Sequence, residues 1–150
     1  MNSDEKLLIE IINEFEMIIS IFENKIRSTY NFTVSPLLAY TRKIIPKTGS
    51  LKTDAGMMDY NFHGRGCEVR INAKKVDFDY FGKDFRYNGF GGWKLWDFAK
   101  SVGEKYKTIL NREDFFKTIE NLESKNILKR TNPPYATFKL VFPLGGIVPN

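Results

Sequence analysis

His63 and Cys67 stand four positions apart and are the sequence's only histidine and only cysteine. An imidazole can take the proton of a thiol and thereby activate the sulfur as a nucleophile. In the strands predicted below, however, His63 falls on the polar face and Cys67 on the apolar face, so a dyad would need a β-bulge between them. A buried, unreactive thiol is the common state of a cysteine on an apolar face. We therefore expect Cys67 to be inert and assign no catalytic residue.

Asp77 and Asp79 share one face of a predicted strand, and carboxylates at this spacing could hold a divalent cation. The predicted register also places Arg70 opposite Asp77 and opposite Asp59, which is an ordinary cross-strand arrangement of charges. We therefore expect ion pairs here, with no metal and no cofactor. P-loop, dinucleotide-binding, zinc-protease and serine-elbow motifs are missing from the sequence. A small hydrolase-like enzyme that uses His63 with Asp77 or Asp79 remains an alternative.

Between Met57 and Phe81 the apolar residues recur with a period of two, which is typical of strands with one buried face. Gly64-Arg65 is predicted to be a two-residue hairpin loop, because glycine supplies the positive φ that such a turn needs. The pairs expected across this loop are Phe62 with Cys67, Tyr60 with Val69, and Asp59 with Arg70. A second tight loop at Ala73-Lys74 would place Arg70 opposite Asp77 and Glu68 opposite Asp79. The pattern predicts a three-stranded antiparallel meander with one apolar and one charged face.

Apolar residues at spacings of three and four predict amphipathic helices before and after the meander. The longest covers residues 4–28, and Ser3 or Asp4 can cap it. The others are expected at residues 36–41 after Ser35-Pro36, at residues 89–102 before Gly103, and at residues 112–125 with Asn111 as the cap. Residues 47–56 are predicted to be a loop, and Leu110 stands where a hydrophobic staple to Phe115 would start.

The C-terminal part is predicted to form two strands, Ile127 to Lys129 and Tyr135 to Phe142, followed by a loose tail after Pro143. The expected fold is α+β, an antiparallel β-meander packed against a long N-terminal helix and two further helices. The C-terminal strands could extend the meander. Residues 1–150 are expected to be a single domain, large enough for a core without disulfides. The residues expected to be almost inaccessible are Phe62, Val69, Ile71, Phe78 and Trp96.

The formal net charge of +5 is unevenly distributed, because acidic residues outnumber basic ones in residues 1–28. A mild excess of this kind is usual for a small soluble domain. We expect a cytoplasmic protein, since no signal-peptide pattern and no membrane-spanning stretch occurs.

The helix at residues 112–125, followed by a strand, a turn and a strand, also resembles the helix and wing of a winged-helix DNA reader. A recognition helix needs side chains that reach base edges, but here Arg112, Lys117 and Lys125 are interspersed with acidic residues. A nucleic-acid-binding regulator is therefore kept only as an alternative.

Three sequence blocks resemble those of a bacterial domain-of-unknown-function family, DUF6896. They are Phe62-His63-Gly64-Arg65-Gly66-Cys67, then Asp77-Phe78-Asp79, then Gly89-Phe90-Gly91-Gly92-Trp93-Lys94-Leu95-Trp96. Family members tend to have an aspartate where this chain has Gly91, so we expect a looser start for the following helix. Such families are similar in size and isolation to the immunity genes encoded beside polymorphic or contact-dependent toxins. The resemblance thus implies a toxin-neutralising protein.

We expect an immunity protein that binds a cognate toxin domain by occlusion, without catalysis. The charge of +5 does not suit the masking of a strongly basic nuclease, unless the acidic N-terminal helix makes that contact. We expect no membrane partner and no nucleic-acid partner, and the oligomeric state is left open. The residues expected to contact the partner are Asp59, Asn61, His63, Arg65, Glu68, Arg70, Asp77 and Asp79.

Overall fold

The computed structural model describes residues 1–106 and 111–142 and confirms the α+β class. The predicted staple at Leu110 and the predicted tail after Pro143 lie outside these residues. The chain divides into two compact units, one formed by Met1–Met17 with Asn88–Asn150 and the other by Ile18–Tyr87.

The predicted N-terminal helix is confirmed as α1, Ser3–Tyr30. The expectation of Ser3 or Asp4 as its cap is wrong, because Asn2 performs that role. The Asn2 side-chain oxygen accepts from the backbone N–H of Glu5 at 2.8 Å, and the Glu5 carboxylate accepts from the backbone N–H of Asn2 at 3.0 Å. This reciprocal pair satisfies two of the helix's orphan donors. Lys125 Nζ also lies 2.8 Å from the buried Glu5 carboxylate, and its hydrogen bond lowers the pKa of Glu5.

The second unit contains the short helix α2, Pro36–Thr41, and an antiparallel five-stranded sheet in the order β1-β2-β3-β4-β5. The three predicted strands are confirmed as β2, Gly56–His63, β3, Gly66–Ile71, and β4, Lys74–Phe81. Two further strands flank them, β1, Thr48–Thr53, and β5, Arg86–Tyr87. The prediction of a loop over residues 47–56 is therefore wrong for most of that segment. Pairing with β2 overrides the loop-like composition of β1.

The register between β2 and β3 agrees with all three predicted pairs. The register between β3 and β4 is shifted by two residues, because the turn is Asn72-Ala73 instead of Ala73-Lys74. Both turn residues have positive φ, 49° and 68°, as a type I′ hairpin turn requires, and asparagine is favoured at its first central position. Arg70 consequently lies opposite Lys75, and Glu68 lies opposite Asp77. A shift by two residues leaves every side chain on its predicted face.

The apolar face of this sheet is covered by rings from α1 and α2. The ring centroid of Phe22 lies 5.6 Å from that of Tyr60 and 6.3 Å from those of Phe62 and Phe78. Tyr40 stacks on Phe62 at 4.9 Å. The predicted burial of Phe62, Val69, Ile71 and Phe78 is confirmed.

The first unit contains a separate three-stranded sheet in the order β6-β8-β7, formed by Phe90–Gly91, Thr137–Leu140 and Leu128–Thr131. The C-terminal strands therefore do not extend the meander. Asn88 and Thr131 hold β6 against the hairpin, because Thr131 Oγ1 donates to the Asn88 carbonyl at 2.6 Å. Gly89 has φ +117° in this close approach, and a Cβ there would lie 2.6 Å from Thr131 Oγ1. Only glycine fits such a position without strain.

The remaining helices of the first unit are α3, Gly92–Val102, and α4, Arg112–Ser124. Gly103 has positive φ after α3, and the Asn111 side chain caps α4, as predicted. Gly91 at the start of α3 has no side chain to cap that helix. Leu95 and Phe98 are the large buried residues of α3, and the Phe98 ring lies 5.5 Å from that of Phe15 in α1. Trp96, which was expected to be inaccessible, is only partly buried, because the buried face of α3 runs through Leu95, Phe98 and Ala99.

The two registers of β3 and β4 can be distinguished with paired cysteines in a Cys67→Ala background. The variant Arg70→Cys/Lys75→Cys joins directly opposite positions, whereas Arg70→Cys/Asp77→Cys joins diagonal positions. Opposite Cα atoms lie about 4.5–5.5 Å apart and can be bridged, whereas diagonal ones, about 7–8 Å apart, cannot without backbone movement. We predict a disulfide on mild oxidation only in the first variant, as measured by mass spectrometry after alkylation of free thiols. Efficient closure of the second variant alone would restore the turn at Ala73-Lys74.

Candidate partner-binding site

All eight residues predicted to contact a partner lie in β2, β3, β4 or the turn between β2 and β3. Their side chains alternate with the buried ones, so they share the face opposite the apolar face. We call this surface the charged sheet face, and it comprises Asp59, Asn61, His63, Arg65, Glu68, Arg70, Asp77 and Asp79. Asp59, His63, Arg65 and Arg70 are exposed, and the other four are partly buried.

His63 and Asp77 form the most specific contact of this face, with Nε2 3.2 Å from Asp77 Oδ1. The contact reaches across β3, because His63 belongs to β2 and Asp77 to β4, and the residue of β3 directly opposite His63 is Gly66, which has no side chain. A Cβ at Gly66 would collide with the Phe78 carbonyl oxygen and with the Asp79 carboxylate. Because residue 66 is glycine, the Asp79 carboxylate can occupy the space that a Cβ would otherwise need. The two-residue shift of the register makes the predicted pairing of Glu68 with Asp79 wrong.

Glu68 is the centre of a small ion-pair network on β3 and β4. Its Oε1 lies 2.9 Å from Arg70 Nη2 and 3.8 Å from Lys75 Nζ. Asp77 lies directly opposite Glu68, so these two cations offset the repulsion between the two carboxylates. The predicted position of Arg70 opposite Asp77 is wrong, and Arg70 pairs instead with Glu68 of its own strand.

Asp59 has a partner that the sequence pattern did not identify, since Ser50 Oγ donates to its carboxylate at 2.6 Å. Ser50 belongs to β1 and lies directly opposite Asp59. Thr48 and Lys52 continue the charged sheet face along the same strand. The only signal in the sequence was Leu51, an apolar residue between two polar ones, which is too short a pattern to predict a strand.

Arg65 lies in the hairpin turn, with its guanidinium carbon 5.6 Å from the centroid of the Phe81 ring. Phe81 follows Asp77 and Asp79 at the same parity of β4 and is buried. An arginine that lies over an aromatic face is attracted by the ring, which favours a defined position of the guanidinium.

Cys67 lies on the opposite side of the sheet and is fully buried, as predicted. Burial is the largest cause that raises the pKa of its thiol, and the nearby Asp77 and Glu68 charges raise it further. The thiolate that nucleophilic chemistry needs is therefore disfavoured.

None of the eight residues of the charged sheet face lines the cavity described in this unit. A cavity of about 550 Å³ lies between α1 and the β1–β2 turn, where Ile21, Lys25 and Asp54 are among its lining residues. In residues 1–106 and 111–142, histidine, cysteine and carboxylate side chains form no group of three that could hold a metal ion. No helix in the same residues has the length and apolarity to span a membrane.

A family model described as a domain of unknown function, DUF6896, matches residues 8–140, which include the whole charged sheet face. No curated protein and no solved structure matches the chain.

The inertness of Cys67 can be tested with a thiol reagent. We predict slow labelling of the native protein and fast labelling in denaturant, because the thiol is buried and its pKa is raised. The matched control is Thr48→Cys in a Cys67→Ala background, which places a thiol at an exposed position of the charged face. If native Cys67 is labelled as fast as this control, Cys67 does not lie on the buried face of the sheet.

Proposed function

Because the chain belongs to the domain-of-unknown-function family DUF6896, we derive its activity from the site, and we propose an immunity protein that binds a cognate bacterial toxin domain. It acts in the cytoplasm of the producing cell and inhibits by occlusion, without catalysis. The charged sheet face is the contact surface.

One observation carries this proposal: the side chains of the charged sheet face contact one another, and none of them lines the cavity described in this unit. Ser50 holds Asp59, Arg70 and Lys75 hold Glu68, and His63 contacts Asp77. Enzyme sites are usually concave and bury most of a small substrate. An open surface of alternating, prepositioned charges suits a second protein, because complementary charges accelerate association and reject wrong partners.

Occlusion also fits the kind of groups that the face presents. The ion pairs are partly exposed, so each adds only about 0–1 kcal/mol to folding stability. Groups of this kind serve a partner by setting orientation and encounter rate, while buried anchors supply most of the affinity. Arg65, which lies over Phe81 at the edge of the face, has the chemistry of such an anchor.

A second candidate, the hydrolase-like enzyme, is favoured by the 3.2 Å contact between His63 and Asp77. A carboxylate that orients a histidine helps that histidine to act as a general base. Neither Cys67, which lies on the other face, nor Ser50, which donates to Asp59, serves as a nucleophile beside His63. The two candidates differ in stoichiometry: occlusion requires one chain for each toxin molecule, whereas an enzyme protects at substoichiometric amounts.

The charged sheet face is tested by reversing single charges and measuring association with the cognate toxin domain, which is first identified by pull-down from the native host and mass spectrometry. We predict that Asp59→Lys and Glu68→Lys each slow association about tenfold at low salt, because long-range attraction changes encounter rates by factors of about 10–10³. Asp54→Lys, an exposed reversal in the β1–β2 turn of the same unit, is the matched control and should have a small effect.

Unchanged association in both variants, with slower association for Glu10→Lys, would move the contact to the acidic face of α1. Protection that saturates at one chain per toxin and survives His63→Gln supports occlusion. Substoichiometric protection that His63→Gln abolishes would establish the enzyme instead.

A further inference from the structure

The first unit carries an aromatic groove that the proposed function does not use. The groove has a volume of about 210 Å³ and lies between α3, α4 and the β7–β8 hairpin. We call it the Trp93 groove, and its walls include Gly92, Trp93, Phe116, Glu120, Arg130 and Phe138. The Trp93 side chain is 59% exposed, which is unusual for the largest apolar side chain.

At the groove α3 and α4 approach each other closely, which the missing side chain at Gly92 permits. The Phe116 ring of α4 lies where such a side chain would project, so that a Cβ at Gly92 would be 2.8 Å from Phe116 Cε1. The same ring lies 4.9 Å from the Trp93 ring. Phe116 therefore forms the floor of the groove and supports one side of Trp93. The Phe116 ring is itself only partly covered.

Two arginines lie over the rings of the groove. The Arg112 guanidinium carbon is 5.6 Å from the Trp93 centroid, and that of Arg130 is 5.0 Å from the Phe138 centroid. Glu123 holds Arg130 through a 2.6 Å contact. Arg112 has no carboxylate partner in the part of the chain that the structure describes. Tryptophan and arginine dominate the energetic centres of protein interfaces, and positions fixed before binding reduce its entropy cost.

The volume and the charges of the groove limit what can occupy it. At about 210 Å³ the groove is smaller than the roughly 300–1,000 Å³ of small-molecule sites, so it suits a single inserted side chain. Glu120 lines the groove, and Glu113 and Glu123 lie on the same helix. These carboxylates oppose a nucleic-acid backbone, whose affinity depends on cationic contacts with phosphates. A protein partner can place a single carboxylate against Arg112 without bringing a row of phosphates beside these groups.

We propose that the Trp93 groove binds a protein partner that inserts one apolar side chain beside Trp93 and places a carboxylate against Arg112. The partner need not be a toxin, so this inference does not depend on the proposed function. Trp93 and Phe116 supply the contact area, and Arg112 selects an acidic neighbour of the inserted side chain.

The test uses a displayed library of random linear peptides, selected on the whole protein and, in parallel, on Trp93→Ala. We expect the wild type to enrich an apolar residue with a nearby aspartate or glutamate, and Trp93→Ala to lose that enrichment. With the best peptide, Trp93→Ala and Arg112→Gln should each weaken binding at least about tenfold, the usual effect of removing an interface anchor. Met57→Ala, an equally exposed apolar residue of the other unit, should leave the affinity unchanged.

When the acidic residue of the peptide is replaced by its amide, Arg112→Gln should no longer change the affinity. This result would show that the peptide carboxylate contacts Arg112. Trp93 is exposed, so its replacement should leave the melting temperature close to that of the wild type, and that measurement accompanies each affinity. Three results would overturn the proposal. They are the same enrichment on both proteins, an affinity that Trp93→Ala does not change, and salt-sensitive binding of a poly-thymidine oligonucleotide that Trp93→Ala abolishes.

Discussion

The strict alternation of side chains along β2, β3 and β4 is the constraint on which the second unit depends. Two-residue turns at Gly64-Arg65 and Asn72-Ala73 keep the three strands in phase, so that Phe62, Cys67 and Phe78 share one face. The opposite face receives His63, Glu68 and Asp77. A slip by one residue would exchange the two faces and expose the core, so the burial of the apolar rings also fixes the pattern of surface charge.

The sequence predicted the structure correctly where a hydrophobic pattern was long or where a helix cap is determined by its immediate neighbours. The apolar stripe of α1 and the caps at Ser35 and Asn111 are local signals, and the structure agrees with them. The membership of the charged sheet face was also predictable, because parity alone determines the face. The contacts within that face were not, because the turn at Asn72-Ala73 requires positive φ at an alanine, which sequence rules disfavour.

The remaining differences arise from long-range pairing. Neither β1 nor the two-residue strand β6 has a strand pattern of its own, and each forms because a partner strand offers its edge. Ser50 was missed as a partner of Asp59 for that reason. The burial of the two tryptophans was not predictable either, because the sequence of α3 contains two apolar stripes. Packing within the first unit buries the stripe with Leu95 and Phe98, and the stripe with Trp93 and Trp96 remains at least partly exposed. Trp93 therefore remains exposed and forms part of the groove wall.

Carboxyl-group footprinting of the charged sheet face, with and without the bound toxin domain, tests most directly whether this face is occluded. A carbodiimide reagent labels accessible carboxylates, and mass spectrometry quantifies each of them. We predict that labelling of Asp59 decreases strongly in the complex, while labelling of Asp54, also exposed in the same unit, remains unchanged. Unchanged labelling of Asp59 and Asp79 in a saturated complex, with loss of labelling elsewhere, would contradict the assignment of this face as the partner surface.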